Sequence, residues 1–172
     1  INISEEVLSG KATFGISSSA LILERLKNKP VVLIGSYFKQ NALVLVTKPE
    51  IKTPYDLKNK KIMAVDWEMG HTSLGVMLKD YGIKKDDYTL ENHDFKIDKF
   101  INGEVDAMSI FTTSQPFELD KLGIKYNILN HANFGIYSYD VELFTSEMVI
   151  NKDLEKVKDF VNATNKGWAY AF

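Results

Sequence analysis

Short apolar runs alternate along the chain with segments whose apolar residues recur at helical spacing. Residues 14–16, 31–34, 43–46, 62–65, 107–111, 126–129 and 148–150 read as strands. Several of these runs are uninterrupted, which is the pattern of strands covered on both faces. Helices are expected over 19–27, 72–81, 95–101, 115–122 and 154–172. The last carries the clearest stripe, with Leu154, Val157, Val161, Thr164, Trp168 and Ala171 on one side and lysines and acids opposite. Residues 151–154 offer it a capping start. The alternation predicts an α/β architecture with largely parallel sheets.

Turn residues sharpen the reading. Pro54 opens a short helical turn through Leu57. Gly82 and Gly123 each follow a helix end and precede an isoleucine taken to start the next strand. One segment is echoed: LSGKATFGI, residues 8–16, resembles INGEVDAMS, residues 101–109. Each reads as helix end, glycine turn, charged residue and alternating strand. Each leads to small hydroxyls, Ser17, Ser18 and Ser19 after the first and Thr112, Thr113 and Ser114 after the second. Two copies do not make a solenoid. They suggest two lobes on one plan, with a hydroxyl-rich loop at the carboxyl end of a strand, the edge where open α/β sheets bind ligands.

Composition narrows the function. The 172 residues are 45% hydrophobic, enough for one sizeable core or two small lobes. The formal charge of −2 and the absence of a basic stripe argue against nucleic acid as partner. No apolar run is long enough to span a membrane, and no cleavable signal is visible. The chain starts at Ile1 without a methionine, which leaves room for an upstream segment. Without cysteine there is no disulfide, thiolate metal site or cysteine nucleophile, and either redox compartment is allowed. His71, His93 and His131 lack metal-like spacing, so neither metal nor cofactor is expected.

The segments VLSGKATFGISSSALILERLKNKPVVLIGSYF, NALVLVTKPEIKTPYDLKNKKIMAVD, FINGEVDAMSIFTTSQPFEL and LFTSEMVI, in this order and spacing, resemble the NMT1/THI5-like (SsuA/THI5-like) group of solute-binding and sensor domains. That resemblance implies a type 2 periplasmic-binding-protein fold, with two lobes joined by crossover strands near 43–48 and 143–150. Lobe I would comprise 1–46 and 144–172, and lobe II 47–143. Such proteins close on a small ligand by hinge motion. Family members usually begin with a strand–helix–strand segment ahead of the position of Ile1 and often continue past Phe172. The chain is therefore expected to be a fragment with an incomplete first lobe.

Candidate ligand contacts follow from the strand-to-helix loops. Ser17, Ser18 and Ser19 either cap a helix or, with its free N–H groups, hold a polar or anionic group. Asp66 either caps a turn or meets a ligand amine, and Trp67 either packs the loop or offers a face to a flat ring. His71 and Thr72 stand at the next helix start. Thr112 and Gln115 lie in the second hydroxyl loop, where Pro116 suits a first helical turn. The family often has Asn-Glu-Pro-Phe where this chain has Ser114-Gln115-Pro116-Phe117, and the lost charge points to a different ligand preference. Tyr37, Phe38, Tyr137 and Tyr139 either pack or wall an aromatic ligand. The lysine-rich runs 58–61, 84–87 and 152–158 read as solvated faces.

The expectation is a non-enzymatic, periplasmic or otherwise extracytoplasmic binder of a small molecule. It would serve an ABC permease as substrate-binding protein, or a kinase or cyclase module as bacterial sensor domain. The aromatic residues favour a flat heterocycle such as a thiamine-pyrimidine precursor. The clustered hydroxyls favour an oxyanion, which the single arginine, Arg25, does little to help. Two alternatives stand beside this. The first is a THI5-type enzyme of pyrimidine synthesis, which the resemblance implies would need a cysteine-rich motif, iron, and a lysine and histidine for pyridoxal phosphate. The lack of cysteine weighs against it. The second is a protein–protein module. No Gly-x-Ser-x-Gly elbow marks a hydrolase.

Overall fold

The computed structural model describes residues 2–171. The chain runs through α1 (Ile3–Leu8), β1 (Gly15–Ser17), α2 (Leu21–Leu26), β2 (Val31–Phe38), β3 (Leu43–Thr47), β4 (Lys61–Ala64), α3 (Asp66–His71) and α4 (Ser73–Asp80). It continues through β5 (Thr89–Asn92), α5 (Asp98–Ile101), β6 (Ala107–Phe111), α6 (Gln115–Lys121), β7 (Asn127–Leu129), β8 (Asp140–Ser146), α7 (Glu147–Lys152) and α8 (Leu154–Ala171). The expected helix end at Phe172 lies outside the described residues. Two compact units result: unit 1 is Ile1–Lys39 with Tyr139–Phe172, and unit 2 is Gln40–Ser138. All of β3 therefore belongs to unit 2 and all of β8 to unit 1.

Unit 2 is built on a five-stranded sheet in the order β5-β4-β6-β3-β7. Its central strands are apolar because both faces are covered. Leu43 and Leu45 of β3 enter a cluster with Ile62, Ala64, Leu74 and Met77. The alternate residues Val44 and Val46 enter another with Met63, Met108, Phe100 and Leu119. A fully buried side chain of this size contributes about 1.5–3 kcal/mol. The pairing corrects the expectation of largely parallel sheets. β4 is parallel to β5 and β6, but β3 is antiparallel to both β6 and β7. Burial on two faces fixes the composition of a strand and leaves its direction open.

Unit 1 holds a three-stranded sheet in the order β1-β8-β2, antiparallel throughout. Phe144 of β8 is fully buried against Val7, Leu21 and Val31. Gly15 faces it across the pair, and a Cβ there would come within 2.6 Å of the Phe144 ring. The α8 stripe buries Val157, while Phe160 stacks on Phe14 at 3.9 Å between ring centroids. Asp153 caps this helix by accepting from the Lys156 N–H at 3.0 Å. Ile22, Leu23 and Leu26 of α2 remain exposed.

Three further differences from the sequence reading have physical causes. Residues 148–150, expected as a strand, lie within helix α7. Ser146 caps it by accepting from the Val149 N–H at 3.3 Å, and that local bond outweighs the β-propensity of Met-Val-Ile. Ile83 and Ile124 do not start strands. With Gly82 at φ 67° and Gly123 at φ 66°, their N–H groups turn back to the Leu78 and Leu119 carbonyls and close α4 and α6. Finally, α3, β5 and the first half of β8 were not foreseen, since each mixes polar residues into a short segment, and of α1 only the end at Leu8 was read. No helix among the described residues is long and apolar enough to cross a membrane.

Phe144→Ala is expected to destabilise the protein by about 3–5 kcal/mol in denaturant titration, because it empties the centre of the unit 1 core.

Candidate functional site

In unit 1 the carboxyl end of β1 meets the beginning of β8. Ser17 lies directly opposite Glu142, and Glu142 lies directly opposite Ser36 of β2. Residues facing each other across an antiparallel pair project to one side of the sheet. A carboxyl therefore stands between two serines on one face, and it is only 5% exposed. Ser19 adds a third hydroxyl, with its Oγ 2.8 Å from the Tyr139 carbonyl and 3.4 Å from Glu142 Oε1. It has one proton to donate, and the nearer carbonyl takes it, leaving Glu142 weakly served. Burial pushes the Glu142 carboxyl above the ordinary glutamate range; the Ser19 bond opposes this and the Asp140 charge adds to it. Val141, just before it, sits at φ 52°, a genuine strain for a β-branched residue.

The serines do not present an open helix end. Ala20, not a serine, is the N-cap of α2, and no side chain caps it. The Leu21 and Ile22 N–H groups donate to the Ser18 and Ser19 carbonyls. Ser18 Oγ lies 3.4 Å from the Ala20 nitrogen. Tyr37 and Phe38 pack on α8: Tyr37 stacks on Trp168 at 5.3 Å and donates its hydroxyl to Asn165, and Phe38 meets Trp168 edge-on. Tyr139 is 59% exposed.

In unit 2 the carboxyl ends of β4 and β5, with the middle of β6, gather a connected polar group. Ser109 of β6 donates to Glu68 Oε2 at 2.6 Å, and the same oxygen accepts from the Val65 N–H at 3.2 Å. His93, just after β5, has Nε2 2.7 Å from the Ser109 carbonyl, while its Nδ1 accepts from the Phe95 N–H at 2.8 Å. These two bonds select the Nε2–H tautomer. Phe95 stacks on His93, is 77% exposed, and has φ 63°.

The other predicted residues of unit 2 lie around this group. Asp66 is held by Lys85 at 2.6 Å. Trp67, 49% exposed, lies parallel to His71 with 5.8 Å between centroids, and His71 Nδ1 donates to the Trp67 carbonyl at 3.2 Å. Thr72 donates to the Glu68 carbonyl and caps α4 by accepting from the Leu74 N–H. The Thr112 side chain is exposed, and its backbone N–H reaches the Ala42 carbonyl. Gln115 Oε1 accepts from the Phe111 N–H and from Ser114 Oγ. Tyr137 is 72% exposed. His131 is fully buried, with both ring nitrogens facing backbone carbonyls. Glu142, Ser36, Glu68, Ser109, His93 and Phe95 were missed as site residues. An acid inside a strand was the only signal for Glu142, and nothing local marks Ser109.

The α/β fold is that of the type 2 periplasmic binding proteins. The family model described as NMT1/THI5 like matches residues 2–172, and the chain belongs to that family. Among solved structures it is similar to the periplasmic aliphatic sulphonate binding protein SsuA from Escherichia coli, with TM-score 0.67 and 18% identity over 97% of this chain and 60% of that one. It is similar also to a putative periplasmic sulfonate-binding protein SsuA from Methylobacillus flagellatus KT, with TM-score 0.68 and 20% identity over 93% of this chain and 49% of that one. An ABC uptake transporter substrate binding protein from Streptococcus pneumoniae with bound histidine gives TM-score 0.62 and 19% identity, over 96% and 66%. The chain thus spans between half and two thirds of the length of these structures. No curated protein matches it.

Two outcomes are expected from the polar groups. Ser109→Ala removes a buried donor from Glu68 and should cost about 1–3 kcal/mol in urea unfolding. For Glu142, the folded-state pKa lies above the unfolded value. The folded chain therefore keeps a proton that the unfolded chain releases once the pH passes about 4.3. Stability is lost as the pH rises from there to the raised folded value. Glu142→Gln should melt higher than the wild type near neutrality, and calorimetry should show the difference closing below about pH 4.

Proposed function

We propose that the chain recognises a small ligand without transforming it, as the binding part of an extracytoplasmic receptor. The observation that carries this reading is the gathering of polar and exposed aromatic side chains at the carboxyl ends of strands in each unit. Ser17, Ser19 and Tyr139 stand there in unit 1, and Glu68, Trp67 and His93 in unit 2. Membership of the NMT1/THI5-like family and the fold shared with periplasmic substrate-binding proteins support it. Ser19 donates to a carbonyl and meets a carboxyl, and among the described residues no imidazole hydrogen-bonds it as a base would, which favours binding over catalysis. The ligand is a flat heterocycle of the thiamine-pyrimidine kind, for which the exposed Trp67 ring backed by His71 offers a stacking surface. The partner is an ABC permease that receives the ligand, or a kinase or cyclase module that senses its arrival.

Thermal shift tests this. Pyrimidines, other aromatic heterocycles and small sulfonates are titrated into the protein. A true ligand at one hundred times its Kd should add about 2.7 kcal/mol to stability. If no compound of any of these classes moves the melting temperature, the small-ligand reading fails.

A further inference from the structure

We propose that Glu142 is a ligand-selecting residue: it receives a protonated nitrogen or a pair of N–H donors, as in an amine, an amidinium or an aminopyrimidine edge, and it rejects sulfonates and carboxylates. This rests on the small-ligand reading above and specifies the ligand's chemistry.

The position of Glu142 is the first argument. It lies on the central strand of the unit 1 sheet, at the end where β1 finishes, opposite Ser17 on one side and Ser36 on the other. The serine loop, for which a ligand contact was one of two expectations, closes this end, and Ser19 of that loop reaches the Glu142 carboxylate.

The second argument is energetic. A carboxyl that is 5% exposed is costly unless paired with a cation or saturated with hydrogen bonds. Among the described residues no lysine, arginine or histidine forms an ion pair with Glu142. Its hydrogen-bond partner is Ser19, at 3.4 Å, and that hydroxyl proton is better used on the Tyr139 carbonyl. Packing does not explain the residue either, since its sheet neighbours are serines and not apolar groups. A countercharge brought from outside resolves the deficit. Ser19, with Ser17 and Ser36 opposite Glu142 on the flanking strands, offers hydroxyls that can accept as well as donate.

The third argument is the sign of the surroundings. Asp140 lies two residues away on the same strand, with Oδ1 accepting from the Val141 N–H at 2.8 Å. The Asp140 charge is felt at Glu142, and a negative charge there favours a cationic group over an anionic one. A sulfonate, the ligand class named for two proteins whose fold this chain shares, would be opposed at this position. The left-handed turn at Val141 lies between the two acids.

The test uses the full chain and three probe sets: benzamidine and agmatine as cations, 4-aminopyrimidine as a neutral N–H donor, and ethanesulfonate as an anion. Affinities are measured by calorimetry for the wild type, Glu142→Gln and Glu142→Asp, after each variant's unliganded melt confirms folding. The expected result is that cationic or N–H-bearing probes bind the wild type and ethanesulfonate does not. Glu142→Gln should then weaken the cations at least tenfold, and Glu142→Asp, which keeps the charge, should weaken them less. The wild-type contrast between cations and ethanesulfonate needs no variant and decides the matter if the substitutions prevent folding. If ethanesulfonate binds the wild type, or the cations bind Glu142→Gln undiminished, Glu142 is not the selecting residue while the binding reading stands. If no probe of any set binds, both fall together.

Discussion

Unit 1 depends on a single strand that arrives late in the chain. β8 lies between β1 and β2 and hydrogen-bonds to both, and among the described residues neither of those strands has another strand partner. The same strand carries Phe144 into the unit 1 core and sets Glu142 between two serines. Core and candidate site are thereby coupled through register. A one-residue slip of β8 would turn both side chains to the other face of the sheet. Gly15 helps fix that register, because any other residue there would collide with the Phe144 ring.

Unit 2 solves a different problem. Its sheet is covered on both faces, and the alternating residues of β3 are shared between two clusters. This leaves strand ends as the places where polar groups can gather without disturbing the core. The group formed by Glu68, Ser109 and His93 joins two such ends to the middle of β6, and its members satisfy one another. Unit 1 places its acid in a similar position and leaves it poorly satisfied. The two groups differ in how far their members satisfy one another: the unit 2 group closes on itself, and the unit 1 acid has one long bond from Ser19.

Much of this was legible in the sequence where one physical factor dominated. The runs at 43–46 and 107–111 are apolar because both faces are buried, and they appear as β3 and β6 with nearly those bounds. Gly82 and Gly123 stop their helices as glycines do. Legibility failed where two factors competed. At 148–150 a serine cap overrode β-propensity. In β8, Asp140 and Glu142 hid the start of a strand that pairing with distant residues, not local preference, holds in place. Strand direction was unreadable because burial is indifferent to it. The candidate site followed the same rule. The hydroxyl loops were visible from their position after strands, and so were Trp67 and His71. The link from Ser109 to Glu68 and His93 joins residues far apart in sequence, and no local pattern encodes it.

The division of unit 1 into two stretches also orders events during synthesis. Unit 2 is one continuous stretch of chain, Gln40–Ser138, and can complete its sheet as it leaves the ribosome. The strands β1 and β2 are made before it, yet they meet only through β8, which follows it. Among the described residues, the partner strand of both and the Phe144 ring that fills their core come only after the whole of unit 2 is translated. The first unit begun is thus the last one finished.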